Sequence, residues 1–184
     1  NNNISELNAS FSVIIINDSS TEEKILETKN LNNIKSLKLI NMRNNKGHAR
    51  CIAAGLKYIS ENEDFDYVIP MDGDGEDRPE EIKNFFEMIK NYPNRTIVGE
   101  RIKRTESLIF KICYFLHKII TFTFTGKFIK FGNYTCLTNE TVKRLIKEKA
   151  TWSSFSGSLV KTESNLINSP SIRGTRYFGP SKMS

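Results

Sequence analysis

The sequence contains few of the residues that build disulfide frameworks and metal clusters. Its three cysteines, Cys51, Cys113 and Cys136, are widely spaced and form no C-x-x-C pair. An odd number at this spacing argues against a disulfide scaffold or a zinc site and favours a reducing compartment. The two histidines, His48 and His117, are too few and too far apart to predict a metal cluster.

Long apolar runs are also missing. No stretch of about eighteen uncharged apolar residues occurs, so the sequence predicts no membrane-spanning helix within these residues. Hydrophobic residues make up 38% of the 184 positions, which is enough for one domain with its own core. Because the chain begins Asn1-Asn2-Asn3 without a methionine, we expect it to be a piece of a longer protein.

Acidic residues are outnumbered. The 27 basic and 21 acidic side chains give a net charge of +6, which suits nucleotide phosphates, nucleic acid or an anionic membrane surface. The basic residues are not interleaved with aromatic residues in an RNA-binding pattern, so we expect no nucleic-acid partner.

Apolar strands and amphipathic helices alternate along the chain. The predicted strands are 11–16, 37–41, 67–71, 96–99 and 132–137, and the predicted helices are 21–30, 47–59, 79–91 and 139–149. This spacing is typical of βαβ units, and it predicts a single α/β domain over residues 1–184 with a mostly parallel, Rossmann-like sheet flanked by helices. Ser20 with Glu23 has capping-box spacing, and Asn139 is the expected cap of the last helix.

The stretch 67–79 carries a chemical pattern. It places Asp72 and Asp74 directly after an apolar strand, where open α/β sheets bind their ligands. Mg²⁺ and Mn²⁺ prefer oxygen ligands and take one or two carboxylates with phosphate and water. An EF-hand calcium loop is excluded because it needs Gly at Asp77 and Glu at Lys83. A metal–phosphate site and a solvated Asp-Gly-Asp-Gly turn both remain open.

Two later segments are basic. Residues 107–131 combine an apolar stripe with a face that carries lysines, which predicts an amphipathic helix. Packing on the sheet is the ordinary interpretation, and lying at a membrane interface is the alternative. Residues 171–184 form a glycine-punctuated loop with Arg173, Arg176 and Lys182, which is either a frayed tail or a cationic lid able to close on a diphosphate.

Five short motifs follow one another along the chain. They are I-I-I-N-D-S-S-T at 14–21, N-N-K-G-H-A at 44–49, M-D-G-D-G-E-D-R-P-E at 71–80, V-G-E-R at 98–101 and R-Y-F-G-P-S-K at 176–182. In this order and spacing the chain resembles a family-2 glycosyltransferase of the GT-A type, close to the polyprenyl-phosphate sugar transferases of the dolichol-phosphate mannose synthase kind. Three departures are that Asn17 replaces the first Asp of the family's D-D pair, that Lys111 falls where relatives often have Arg, and that the opening P-x-Y-N-E strand is missing. We therefore expect a catalytic domain truncated at its front, and relatives continue behind it into membrane helices.

The resemblance implies a role for each matched residue. An acidic set is expected to hold a nucleotide-sugar donor of the UDP or GDP type and a Mg²⁺ or Mn²⁺ ion: Asp18 at the base, Asp72 at donor and metal, and Asp74 and Glu76 at the metal. A second set is expected to contact phosphates: Arg101, Arg176, Ser181 and Lys182 at the donor, and Lys111 with Arg101 at the acceptor. Three of these, Asp74, Arg101 and Arg176, would be catalytic, because a cation and arginines stabilise the departing nucleotide.

The acceptor is inferred from a missing base. Beyond Glu106 the carboxylates are Glu140, Glu148 and Glu163, and none lies in a site motif, whereas an acceptor hydroxyl needs a general base. A polyprenyl phosphate is already an anion. The expected reaction is therefore inverting transfer to a polyprenyl phosphate at the cytoplasmic face of the cell membrane. The alternatives are transfer to a glycan hydroxyl in cell-surface polysaccharide synthesis and an inactive nucleotide-sugar-binding module.

Overall fold

The computed structural model describes residues 7, 9–20, 34–101, 123, 129 and 131–177. Six strands lie in these ranges: β1 (Phe11–Asn17), β2 (Ile34–Asn41), β3 (Tyr67–Val68), β4 (Ile97–Arg101), β5 (Phe131–Thr138) and β6 (Ile167–Ser171). Four α-helices accompany them: α1 (His48–Asn62), α2 (Ile82–Asn91), α3 (Asn139–Leu145) and α4 (Phe155–Thr162). Short 3₁₀ turns occupy Pro79–Glu81 and Lys149–Trp152. The predicted α/β class is confirmed.

The strands form two sheets. One contains β1 and β2, which run parallel with Phe11 opposite Ile34 and Asn17 opposite Asn41. The other has the order β3-β5-β4-β6, in which β5 is antiparallel to β3 and β4 while β4 and β6 are parallel. Among the described strands, two pairings are parallel and two are antiparallel, so the sheet is mixed where strand–helix alternation had predicted mostly parallel pairing. The antiparallel pairings arise because β5 is inserted between β3 and β4 in the opposite direction.

The core fills both faces of the four-stranded sheet. Period-two alternation sends successive side chains of β4 and β5 to opposite faces. On one face Val98 and Leu137 pack with residues of α1, α3 and α4, namely Leu56, Val142, Leu145, Phe155 and Leu159. On the other face Ile97, Tyr134 and Cys136 pack with Phe85 of α2. The helices packed on both faces of this sheet fix the positions of its strand ends.

Several predicted boundaries need correction. The strand predicted from residue 67 to 71 is only Tyr67–Val68, although Ile69 and Met71 still pack against the second cluster. The cap of α3 is Thr138, whose hydroxyl accepts a hydrogen bond from the Thr141 N–H at 3.2 Å, and the helix ends at Leu145 instead of residue 149.

Two elements have no counterpart in the sequence prediction. Helix α4 lies in a stretch where no helix was expected, and β6 includes Ser171, which had been placed in the final loop. Pro170 is compatible with β6 because this strand lies at the sheet edge. The helix predicted at 21–30 lies outside the described residues, as does nearly all of the amphipathic segment 107–131. Within the described ranges, no helix has both the length and the apolarity that crossing a bilayer requires.

Candidate active site

The site residues gather at one edge of the sheets. Asp18 follows β1, the loop 72–77 follows β3, and Arg101 ends β4, so all three lie at the carboxyl ends of their strands. Because β5 is antiparallel to β3 and β4, its first residues return to the same edge. The segment after β6 also leaves the sheet there, since β6 is parallel to β4. The sequence predicted a site at the carboxyl ends of the strands. The structure places there, in addition, residues that lie outside the sequence motifs.

The carboxylate loop, residues 72–77, is shaped by its own acidic side chains. The Asp72 N–H donates to Asp77 Oδ2 at 2.9 Å, and the Glu76 N–H donates to Asp74 Oδ1 at 3.0 Å. Gly75 has a φ of +91°, a conformation that L residues rarely adopt. Asp77 is 7% exposed. Burial raises the pKa of the Asp77 carboxyl to about 6, opposed in part by the hydrogen bond from Asp72.

A second segment, which we call the arginine strap (residues 172–177), lies along this loop. Its backbone donates from Gly174 N to the Glu76 carbonyl at 2.8 Å and from Tyr177 N to the Asp74 carbonyl at 2.9 Å. Its side chains add two ion pairs. Arg176 lies 3.2 Å from Asp74 Oδ2, and Arg173 contacts Glu76. The strap thus places two guanidinium groups on carboxylates that the sequence assigned to the metal.

The start of the strap is fixed by one carboxylate. The hydroxyl of Ser171 donates to Glu81 Oε2 at 2.6 Å, and the N–H of Ile172 donates to Glu81 Oε1 at 2.8 Å. Because Glu81 stands in the turn before α2, this contact links the end of β6 to the helix that follows the carboxylate loop.

Contact between strap and loop is close enough to require glycine on both sides. A Cβ added to Gly174 would lie 2.3 Å from the Gly75 carbonyl oxygen. A Cβ added to Gly75 would lie 2.7 Å from the ring of Tyr177, which is itself 64% exposed. A side chain at Gly174 would separate the strap from the loop because it meets a backbone atom, whereas a side chain at Gly75 would displace the exposed Tyr177 ring.

Asp18 holds the entry to α1. Its two carboxylate oxygens accept from the backbone N–H groups of Lys46 at 2.7 Å and Gly47 at 2.8 Å. Asn45 donates its side-chain amide to the Asp18 carbonyl at 3.1 Å. The hydrogen bond from Lys46 is the largest cause that holds the pKa of the Asp18 carboxyl below its ordinary value. Its expected contact with the donor base stays a prediction.

His48, the first residue of α1, connects this corner to the carboxylate loop. Its Nε2 lies 3.2 Å from Asp72 Oδ1 and 2.6 Å from Asn133 Nδ2 at the start of β5. Sequence reasoning set His48 aside as isolated. Its place directly after the N-N-K-G motif, at the entry of a helix, was the only signal that could have identified it.

Arg101 completes the edge. A Cβ on Gly132 would lie 3.1 Å from a terminal guanidinium nitrogen of Arg101, so the absence of a side chain there leaves the guanidinium room. Its charge is near enough to lower the pKa of Asp77. The other expected phosphate contacts, Lys111, Ser181 and Lys182, lie outside the described residues and stay predictions.

The donor set can be tested against a divalent cation. In the part of the chain that the structure describes, no group of three His, Cys, Asp or Glu side chains converges on a metal position. Asp72 and Asp74 nevertheless provide carboxylate oxygens, and Asp72 Oδ1 is buried without a hydrogen-bond partner. This set fits a hard cation of the Mg²⁺ or Mn²⁺ kind whose coordination is completed by phosphate oxygens and water.

The chain matches a known protein family. The family model described as "Glycosyl transferase family 2" matches residues 3–152. A search of curated proteins returned no match. The matched range includes Asp18, His48, the carboxylate loop and Arg101, while the arginine strap lies beyond it.

Proposed function

Because the chain belongs to glycosyl transferase family 2 and is therefore a glycosyltransferase with a GT-A-type fold, we propose that it transfers a sugar from a UDP- or GDP-sugar to a polyprenyl phosphate, with inversion at the anomeric carbon. The family implies a nucleotide-sugar donor and an acceptor. The observation that carries our choice of donor site is the pairing of Arg176 with Asp74 at 3.2 Å, which places an anion-binding and a cation-binding group side by side.

The donor would bind where the carboxylate loop meets the arginine strap. Asp72 and Asp74, with Glu76 beside them, would hold a Mg²⁺ or Mn²⁺ ion. When bound, this ion supplies positive charge that stabilises the negative charge developing on the leaving diphosphate. Arg176 and Arg173 pair with carboxylates in this structure. Once the donor binds, their side chains would instead contact its phosphate oxygens, which a guanidinium group can bind through two parallel hydrogen bonds.

The main proposed role of the arginines is to stabilise the leaving group. Guanidinium groups held on a docked strap are oriented before the reaction, so they stabilise developing charge with little reorganisation. Arg101, at the end of β4 and opposite Ser171 of β6, would contribute from beside the start of the strap. Ser181 and Lys182 would extend the phosphate contacts beyond the strap.

The carboxylates beyond Glu106 support a phosphate acceptor. Glu163 accepts from Arg144 Nε at 2.8 Å and from the Thr141 hydroxyl at 3.1 Å, within the packing of α3 and α4. Glu140 lies 3.8 Å from Arg144, and Glu148 lies 3.9 Å from Lys161. Each is engaged among these helices, where it is not placed to deprotonate an acceptor hydroxyl. A lipid phosphate needs no base, with Lys111 and Arg101 as its proposed contacts.

The proposed location is the cytoplasmic face of the cell membrane. A net charge of +6 supports attraction to an anionic lipid surface. The basic amphipathic segment 107–131 is the proposed contact with that surface.

A radiolabelled transfer assay tests the proposal. The protein is incubated with Mn²⁺, a panel of UDP- and GDP-sugars, and either a polyprenyl phosphate or oligosaccharide acceptors. We expect labelled lipid, and we expect its loss in Asp74→Ala but not in Asp64→Ala, a matched control on an exposed carboxylate before β3. Label in oligosaccharide alone would favour the polysaccharide alternative. Nucleotide binding without product under any condition would favour a binding module and contradict the proposed reaction.

A further inference from the structure

Two metal-preferring atoms converge at the site without bonding to each other. His48 Nε2 and Asp72 Oδ1 are 3.2 Å apart. The distance alone is compatible with a hydrogen bond, but Asp72 Oδ1 is a buried atom with no hydrogen-bond partner. Buried polar atoms are nearly always bonded, so an oxygen without a partner among the described residues points to a ligand at this position.

We infer that His48 is a protein ligand of the divalent cation, binding it through Nε2 on the edge that it shares with Asp72 Oδ1. This inference rests on the proposed function, which supplies the cation. Two ligands that bind one cation at right angles, each about 2.1 Å from it, lie about 3 Å apart. The observed separation of 3.2 Å is close to that edge length, so both atoms can bind the same ion with little movement.

The neighbour of His48 indicates which nitrogen carries the proton. Asn133 Nδ2 lies 2.6 Å from Nε2, and in this amide orientation it donates a hydrogen bond to the ring. A ring nitrogen that accepts a hydrogen bond carries no proton, so the proton is on Nδ1. Nε2 has a single lone pair, so a cation that binds this nitrogen takes the place of the Asn133 N–H, which makes an exposed hydrogen bond at the start of β5.

The backbone holds His48 in place for this role. It begins the fifteen-residue helix α1, directly after Lys46 and Gly47, whose N–H groups are bound by Asp18. Its side chain is 51% exposed, so a hydrated ion can reach Nε2 from solvent. Asp74, by contrast, already pairs with Arg176. A cation can therefore bind at the His48–Asp72 pair without displacing Arg176.

An imidazole ligand also constrains which cation is used. Carboxylates and water suit Mg²⁺ and Mn²⁺ alike, whereas imidazole favours first-row transition ions over Mg²⁺. A site with one imidazole should therefore select Mn²⁺ over Mg²⁺. Replacement of His48 by glutamine, which keeps a polar side chain, should remove that preference.

Electron spin-echo spectroscopy of bound Mn²⁺ tests the assignment directly. The probe is Mn²⁺ with UDP or GDP added to the protein, prepared with natural-abundance and with ¹⁵N-labelled histidine. We expect a ¹⁴N modulation that changes on labelling, is lost in His48→Gln and persists in His117→Gln, the matched change at the chain's other histidine. Because His48 is half-exposed, His48→Gln should keep the thermal midpoint while weakening Mn²⁺ binding at least about 10-fold.

The outcomes separate this inference from the function on which it rests. Nucleotide-dependent Mn²⁺ binding that requires Asp72 but shows no histidine nitrogen would overturn the ligand assignment and leave the proposed transfer intact. An equal Mn²⁺-to-Mg²⁺ affinity ratio in the natural protein and in His48→Gln would also overturn it. Failure of Mn²⁺ and nucleotide to bind at all would contradict both.

Discussion

Replacing Gly174 by alanine should lift the arginine strap from the carboxylate loop. The new methyl group would lie 2.3 Å from the Gly75 carbonyl oxygen, a backbone atom that cannot rotate away. Real Cβ atoms do not approach so closely, so the strap must move. The substitution acts through contact alone, because Gly174 is absent from the residues with positive φ.

The size of the effect follows from the bonds that are lost. Displacement breaks the hydrogen bonds from Gly174 N to Glu76 and from Tyr177 N to Asp74. At about 0.5–1.5 kcal/mol each, these stabilise docking by about 1–3 kcal/mol. That is about a 5- to 150-fold change in the population of undocked strap. The two partly exposed ion pairs add little, since such pairs contribute about 0–1 kcal/mol.

Limited trypsin digestion measures this population, because Arg173 and Arg176 lie in the strap and cleavage requires an undocked chain. We expect Gly174→Ala to be cleaved there about 5- to 150-fold faster, by the same arithmetic. The matched control is Gly73→Ala, where a Cβ would meet nothing within 4 Å. Equal cleavage of Gly174→Ala and the natural chain would refute the docked arrangement.

Two further predictions concern stability, both measured by urea unfolding of the metal-free protein. Asp18→Ala should lower the free energy of unfolding by about 1–2 kcal/mol, because the N–H groups of Lys46 and Gly47 lose their acceptor. Since the pKa of Asp18 is lowered in the fold, its contribution is present above the ordinary value of 3.8 and is lost as pH falls through the folded pKa. A difference that persists unchanged in acid would count against this. Asp77→Asn should do the reverse and stabilise the protein at pH 7 by about 1–3 kcal/mol, because the amide oxygen keeps the bond from Asp72 while the buried charge is removed. The pKa of Asp77 is raised from 3.8 to about 6, so its protonated form is favoured below 3.8 and the penalty appears as pH rises through 6. The stability gained by Asp77→Asn should vanish near pH 3.8. A loss of stability at pH 7 would show instead that the fold needs the charge of Asp77.

Much of the frame was predictable because local patterns are strong there. The apolar run of β1, the small residues of α1 and the Pro79 start of the next turn each carry a distinct local signal. The position of Asp72 and Asp74 followed from one rule, that ligands bind at the carboxyl ends of strands.

The missed elements have weak local signals. Strand β6, I-N-S-P-S, holds one apolar residue and a proline, and it exists because it pairs along β4. Helix α4 begins F-S-G-S, which contains poor helix formers, and packing of Phe155, Leu159 and Val160 stabilises it.

The site itself depends on contacts between distant parts of the chain. Asn133 and His48 are 85 positions apart, and nothing in either segment indicates the other. Asp77 had only been noted as a mismatch to a calcium loop, whereas its burial makes it the acceptor that shapes the carboxylate loop. The docking of the strap requires Gly174 to meet Gly75, a steric fit that no single motif contains.

Calorimetric titration of UDP and GDP, with and without Mn²⁺, tests most directly whether this edge binds a nucleotide diphosphate together with a cation. We predict that Mn²⁺ tightens nucleotide binding at least about tenfold, a coupling of ordinary size, and that the gain disappears when Asp72 and Asp74 are both replaced by alanine. Nucleotide affinity that is the same in Mn²⁺ and in a chelator, or that survives the double replacement, would contradict the account.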